Sequence, residues 1–477
     1  MDLSKPNVLL ITTDQHRADS MGCYGHPCVQ TPHLDQLACE GFRFENAYTD
    51  CPVCVPARTT IITGIDSHTY GMPSYCEEYR INRDKSLFLG SLMTKSGYQT
   101  QVIGKTHWHL NTHSRGGFES VINLNQWRRD QLLKTGKGFD PTGIGGNELT
   151  PALSQMPPEL CHTDWMVNKC LDFLEYRDKD NPFFLWLSLM DPHPPFAIHE
   201  PFYSMYDNDE IPDPVYGDWC EDDVSPRYHY IFRHVAPRPD DMSKRQLRKA
   251  RSVYYGTITN IDYQLGRLFG KLQRDREWEN TIIIYTTDHG EFLGDHHAAR
   301  KSSFCECTAR IPFIIRDPRN QDKGRVSDAL VNLSDLLPTI CDYAGTEISS
   351  DITGKSLKAI VDKKVDKVRP FMHGQIDDAH MYHDGRYKYL FFADDGSELL
   401  FDVTEGRNDL NSIKDYRVAE MRQKLIQHLN DEKNNHVGSD GMLLNKGLEK
   451  PPLNVLKSWD AMGLASTAAY NRLIEIG

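Results

Sequence analysis

Apolar residues along the chain fall into short continuous runs separated by stretches of helical period, and that alternation sets the expected architecture. The run at 7–12, around Val8, Leu9, Leu10 and Ile11, predicts a strand buried on both faces. A helix follows from Thr31, with Thr31 as N-cap, Pro32 in the first turn, Leu34, Leu37 and Ala38 on one face and Gly41 as its stop. A second helix is expected to begin near Pro56. Residues 86–97 repeat the helical pattern with Leu89, Leu92 and Met93 inward, and 100–103 reads as the next strand. Residues 112–160, rich in glycine and polar groups, read as an irregular insertion bordering a cleft. A helix over 164–176 leads into the apolar run 183–190, which ends in Asp191-Pro192-His193-Pro194-Pro195. After an acidic loop at 206–223 come a long helix over 243–273 and a strand over 281–286 that ends in Thr287-Asp288-His289-Gly290. One more helix, 334–344, is closed by Gly345.

Strand, loop and helix therefore repeat in order, the pattern of an α/β fold with a large mostly parallel sheet sandwiched by helices. Active residues are then expected at the carboxyl ends of the strands. From about 365 the pattern changes to short antiparallel strands at 387–392 and 398–401, which predicts a smaller C-terminal α+β subdomain. The expected boundaries are a catalytic α/β domain over 1–362, the α+β subdomain over 363–432, and a tail over 433–477. The tail packs either on its own chain or on another subunit of a homo-oligomer.

Composition narrows the partners. The 477 residues allow a sizeable core, and 54 Lys and Arg against 67 Asp and Glu give a net charge of −13. That balance argues against general affinity for nucleic acid or an anionic membrane, so an anionic substrate must meet a local cluster of cations. No apolar run approaches the roughly 18–20 residues that span a bilayer. The start, Met1-Asp2-Leu3-Ser4-Lys5-Pro6, lacks the basic segment, apolar run and cleavage site of a secretory leader, which predicts a cytoplasmic protein. The twelve cysteines are scattered and expected to be reduced, and Cys51-Pro-Val-Cys54 has CxxC spacing without a second metal-binding pair.

The most informative segment is Cys51-Pro-Val-Cys54-Val-Pro56-Ala57-Arg58, running on to Thr63-Gly64. It sets a cysteine just before a proline-initiated helix, where unpaired backbone N–H groups favour an anion, with an arginine one turn on. Taken alone, this is also what a buried thiol and a surface arginine look like. The segment resembles the signature C-x-P-S/A-R of the type I sulfatases, a family of the alkaline phosphatase superfamily. Cys54, Pro56, Ala57 and Arg58 meet it, and Cys51 is out of register. The resemblance extends to Asp14-Gln15, Gly104-Lys105-Thr106-His107, Asp191-Pro192-His193, Asp288-His289-Gly290-Glu291 and Gly294-Asp295-His296-His297 with Lys301, and spans roughly residues 6–345. The strand pair around 387–403 is similar to the family's C-terminal subdomain.

The resemblance implies hydrolysis of the sulfate ester of a small molecule or oligosaccharide. In that family the cysteine is converted by a formylglycine-generating maturation enzyme to formylglycine (3-oxoalanine), whose hydrated aldehyde is the nucleophile. Asp14, Gln15, Asp288 and His289, at two strand ends the fold brings together, would form an oxygen-rich site with residue 54 for one divalent ion. Gln15 and His289 depart from the commoner Asp and Asn. Calcium is the first expectation, with manganese, magnesium or zinc compatible. By resemblance, Arg58 orients residue 54, and Lys105 and His107 hold its hydroxyls. His193 and Lys301 face the transferred group and leaving oxygen, with His193 as proton donor because its ordinary pKa is near 6.5. One hydroxyl attacks sulfur in line, and collapse of the resulting sulfate hemiacetal expels sulfate.

His296 is expected to contact substrate, Glu291 to cap or pair locally, and His109 and His113 to be polar loop residues. Specificity is expected in loops 65–85, 110–160 and 197–240, with Tyr75, Arg80, Arg115 and His199 as candidate contacts. Three other readings remain open on the residues alone. The same site would serve a phosphonate monoester or phosphodiester hydrolase, for which Gln15 and His289 speak and Lys105 and His107 do not. A noncatalytic anion-binding protein would leave Cys54 unconverted, and a redox protein would use Cys51 with Cys54.

Overall fold

The computed structural model describes residues 5–74, 85–108, 115–137, 142, 144, 146–207, 210–220, 239–377, 379–392 and 396–431. Its centre is an eight-stranded sheet. The strands, in chain order, are β1 (Asn7–Thr13), β2 (Phe42–Tyr48), β3 (Gln99–Gly104), β4 (Ser120–Asn123), β5 (Ala152–Leu153), β6 (Phe183–Ser188), β7 (Ala197–Ile198), β8 (Thr281–Thr287), β9 (Phe313–Arg316) and β10 (Arg325–Asn332). Across the large sheet the order is β10-β2-β9-β8-β1-β6-β3-β4, and β5 and β7 pair separately as a small parallel ribbon. Only β9 runs antiparallel to its neighbours β2 and β8. The α/β architecture with a mostly parallel sheet is therefore as expected.

Alternation along each central strand feeds two cores. Val8 and Leu10 of β1, Phe184 and Trp186 of β6, and Ile282 and Ile284 of β8 enter one cluster; Leu9, Ile11, Leu185, Leu187, Ile283 and Tyr285 enter the other. Helices cover both faces. They are α1 (Pro32–Glu40), α2 (Cys54–Thr63), α3 (Leu89–Lys95), α4 (Leu124–Thr135), α5 (His162–Tyr176), α6 (Lys244–Arg274) and α7 (Leu336–Ala344). On one face lie α2, α3 and α7; on the other lie α1, α5 and α6.

Several local readings change. At α1, Thr31 holds the N-cap position without capping: its hydroxyl accepts from Gly22 N and donates to Asp35 Oδ1. Residues 112–160 are not wholly irregular, because β4 joins the sheet edge and α4 follows. The helix is started by an Asn123/Gln126 capping box and ended by Gly136 in the left-handed region. Only Trp127 and Gln131 of α4 are buried, so it carries almost no apolar stripe to read.

A second, antiparallel sheet of β11 (Met372–Ile376), β12 (Ala379–His383), β13 (Tyr387–Phe392) and β14 (Glu398–Asp402) is followed by α8 (Tyr416–Asp431), which makes the C-terminal α+β unit. One face of this sheet shares a core with Tyr48, Phe292 and Phe304 of the larger unit, and the other packs on α8. The tail expected over 433–477 lies outside the described residues, as do Tyr75, Arg80, His109 and His113. Among the described residues no helix is long and apolar enough to cross a membrane.

Candidate active site

The neighbours β8, β1, β6 and β3 each end in a sequence motif, so the strand order delivers four motifs side by side. Asp288-His289 follows β8, Asp14-Gln15 follows β1, Asp191 to His193 follows β6, and Lys105 to His107 follows β3. The turns are tight. Gln15 and His107 adopt positive φ of 70° and 43°, uncommon for residues with a Cβ and costly unless the surroundings impose it.

From the face covered by α2 comes Cys54. The helix begins at Cys54 itself rather than at Pro56, with Val53 as N-cap, because a proline in the first turn removes an N–H that has no partner there anyway. All ten residues of α2 are buried, which fixes the direction of the thiol. Its Sγ lies 3.1 Å from His289 Nε2 and 3.8 Å from Asp14 Oδ1. Asp14, Cys54, Asp288 and His289 each offer one ligand atom, all within 4.8 Å of one another. Cys51 Sγ is directed to the Pro73 carbonyl at 3.4 Å, whereas Cys54 Sγ faces His289 and Asp14, and both thiols are free.

Arg58 organises the cluster. Its Nε donates to Asp288 Oδ2 (2.9 Å) and Nη2 to Asp14 Oδ2 (2.8 Å) and the Thr13 carbonyl (3.4 Å). Nη1 donates to the Lys105 carbonyl (2.8 Å) and Ser188 Oγ (2.7 Å). A guanidinium has five N–H groups and all five are thereby engaged, so Arg58 positions the carboxylates and has none left for a substrate oxygen. Lys105 Nζ adds a second cation 2.7 Å from Asp14 Oδ2 and stands 4.0 Å from Cys54 Sγ. The outer oxygen of each aspartate is thus held by cations, while Asp14 Oδ1 faces the thiol.

The charges shift one another. Burial would raise the Asp14 carboxyl, but Lys105 and Arg58 outweigh it and hold it well below the usual range. Burial and the neighbouring Asp14 push Asp288 up to about 6. For Cys54, burial and Asp14 oppose ionisation, yet Lys105, Lys301 and His289 draw the thiol well below its ordinary value. His289 Nδ1 lies 3.0 Å from the Gly290 carbonyl; burial opposes its protonation, but Asp288 and Cys54 outweigh that and raise its pKa, so Nε2 faces the sulfur as a donor until a cation takes its place.

The donor chemistry of this group fits a divalent cation: two carboxylates, an imidazole nitrogen and residue 54 converge in a buried pocket, with Gln15 at its edge. Gln15 Oε1 accepts from Lys301 Nζ at 2.7 Å, and Lys301 Nζ is also 3.0 Å from His193 Nε2. His193 Nδ1 meets the Pro194 carbonyl at 2.6 Å, so its N–H lies there and Nε2 accepts from Lys301. Burial, Lys301 and Lys105 push the His193 pKa down to about 4, which makes it a neutral base at pH 7. His107 sits at the rim; lost solvation in the cleft lowers its pKa, against a hydrogen bond with Cys54.

His296 is not brought to this cluster by any contact described. Its Nδ1 accepts from Gly217 N at 3.1 Å and its ring packs on Trp219, with positive φ at both His296 (52°) and His297 (60°). Arg115 donates to the Glu119 carbonyl of its own turn, and His199 leans on Asp164. Ser188, which receives Arg58, was not singled out from sequence. Glu291 pairs locally as expected, accepting from Leu293 N at 3.0 Å, and also accepts from the side chain of Gln15.

Residues 6–346 match the family model described as Sulfatase, and residues 294–435 match one described as N-sulphoglucosamine sulphohydrolase, C-terminal. An arylsulfatase of Clostridium perfringens is 32% identical, with 95% of this chain and 99% of the relative covered. An N-acetylglucosamine-6-O-sulfatase of Bacteroides thetaiotaomicron is 28% identical over 76% of this chain and 72% of its own length. Among solved structures, a phosphonate monoester hydrolase of Agrobacterium radiobacter superposes with a TM-score of 0.75 at 24% identity, covering 91% of this chain and 96% of that one, a likeness of fold.

Proposed function

The chain belongs to the sulfatase family and is a sulfuric ester hydrolase, and from that premise we propose that it cleaves the sulfate esters of sugars or other small alcohols at the Cys54 cluster. The observation that carries this reading is the position of Cys54, first residue of a buried helix, with Sγ 3.1 Å from His289 Nε2 among Asp14, Asp288 and Lys105. On this reading the thiol is the unmatured form. A maturation enzyme converts it to formylglycine, whose hydrated aldehyde supplies an oxygen nucleophile for sulfur. Asp14, Gln15, Asp288, His289 and residue 54 would hold one divalent ion, calcium in the first instance, which supplies positive charge for the nucleophile and the sulfuryl oxygens.

The remaining roles follow from the contacts. Arg58 fixes Asp14 and Asp288. Lys105, beside Asp14 and residue 54, offsets negative charge as the sulfuryl group approaches, and His107 holds a hydroxyl of residue 54 from the rim. Proton donation to the leaving alkoxide falls to the His193–Lys301 pair, whose Nε2 and Nζ stand 3.0 Å apart, with His193 the expected donor.

Coexpression with a formylglycine-generating enzyme tests the reading. The matured protein is expected to turn over an aryl sulfate, and Cys54→Ala to lose that activity while keeping the native circular dichroism spectrum. Full activity in the folded Cys54→Ala variant would overturn it.

A further inference from the structure

An amide side chain has two unlike ends, an oxygen that ligates a cation and an NH2 that does not. For Gln15 the choice is made behind the residue. Its Nε2 donates to Glu291 Oε2, while its Oε1 accepts from Lys301 Nζ at 2.7 Å. Glu291 is fully buried, and its other oxygen, Oε1, accepts the backbone N–H groups of Leu293 (3.0 Å) and Arg300. The two backbone donors fix Oε1 as an acceptor and leave Oε2 to face the Gln15 amide, where the contact has Nε2 as donor. The Gln15 backbone is equally constrained, with its carbonyl accepting from Tyr254 OH at 2.7 Å and its N–H donating to Asp288 Oδ1 at 3.1 Å.

Resting on the reading of residues 14, 15, 54, 288 and 289 as a metal centre, we propose that Glu291 is a positioning residue that keeps the oxygen of Gln15, not its nitrogen, turned toward the divalent cation and Lys301. This also accounts for a carboxylate one layer behind a neutral ligand: the charge sits where it orients the amide without touching the ion. The isosteric change Glu291→Gln separates orientation from size. Its amide oxygen is still required by Leu293 and Arg300, so its NH2 has to face Gln15. Gln15 then turns its own oxygen backward and presents Nε2 to an ammonium and a cation. In the exchange variant Gln15→Glu/Glu291→Gln, the amide at 291 donates to one oxygen of the carboxylate at 15, and the other oxygen again faces Lys301.

The test is equilibrium binding of calcium and, separately, manganese to the full chain after chelator treatment, read by calorimetry, for the natural protein and these variants, each first shown to fold by its melting curve. Glu291→Gln is expected to weaken binding by about 10–100-fold, the usual cost of losing a partner behind a metal ligand, and the exchange variant to recover most of it. A folded Glu291→Gln with unchanged affinity, or an exchange variant no better than the single one, overturns the proposal. If Glu291→Gln does not fold, the exchange variant decides alone, and failure of that folded variant to bind is the contrary result. Asp288→Asn separates the layers. Unchanged affinity there means the metal centre itself is misassigned, while lost affinity there with full affinity in Glu291→Gln removes the positioning role only.

Discussion

Arg58 has no solvent exposure and bridges two buried aspartates, so its removal leaves two carboxylates unpaired in a low-dielectric pocket. Arg58→Ala is expected to lower stability by about 3–5 kcal/mol, measured by urea denaturation, and added divalent cation is expected to restore part of the loss. Arg58→Lys keeps the charge but not the fork, and is expected to fall between the two. Asp14 and Asp288 were legible as residues just past buried strands, and Cys54, Arg58 and Lys105 through the resemblance of their segments to the sulfatase signature. What escaped was orientation. The Gln15 amide is set by Glu291, 276 positions away in sequence, and the His193 tautomer by the carbonyl of Pro194. Neither leaves a mark in spacing.

At the scale of elements, the β3–β6 seam governs where Lys105 stands. Gly104 pairs with Ser188, has φ of 112°, and a Cβ there would lie 1.9 Å from the Ser188 carbonyl, which itself accepts from Lys105 N at 2.7 Å. Gly104→Ala is therefore expected to displace the strand end and Lys105 with it. Misplacement of about 1 Å at a catalytic group costs on the order of 100-fold, to be read as kcat/KM on an aryl sulfate beside an unchanged circular dichroism spectrum. The apolar runs made β1, β3, β6 and β8 legible, and these four carry the site. Strands β2, β9 and β10 were not read, since Phe42–Tyr48 alternates with Arg43 and Glu45 at a sheet flank and β9 is only four residues long. The polar α4 was missed for want of an apolar stripe, although its capping box was there to be read.

Across the whole molecule, the antiparallel sheet is pinned to the larger unit by a buried charge group. Lys388 of β13 reaches Glu306 Oε1 at 2.8 Å and Asp409 Oδ1 at 2.7 Å, and Tyr48 OH also meets Glu306. Lys388→Met is expected to lower the melting temperature and to cost about 3–5 kcal/mol, because both carboxylates stay behind. Nearby, burial pushes the pKa of His383 down from 6.5 to about 4. The folded state then binds fewer protons than the unfolded chain between those values, so this residue carries no penalty above pH 6.5, a growing one as pH falls, and the full one below pH 4. Natural protein and His383→Phe, compared by urea denaturation, are expected to differ progressively less in the natural protein's favour from pH 7 to 4.5; a constant difference would contradict this.

In a chain of net charge −13, the cation cluster around residue 54 decides which anionic ester is taken. The most direct measurement is kcat/KM of the matured protein on an aryl sulfate and on the matching aryl phosphonate monoester, with Cys54→Ala as blank. A preference for sulfate of more than about tenfold, roughly 1.4 kcal/mol of transition-state discrimination, is expected. A preference for the phosphonate of similar size would contradict it.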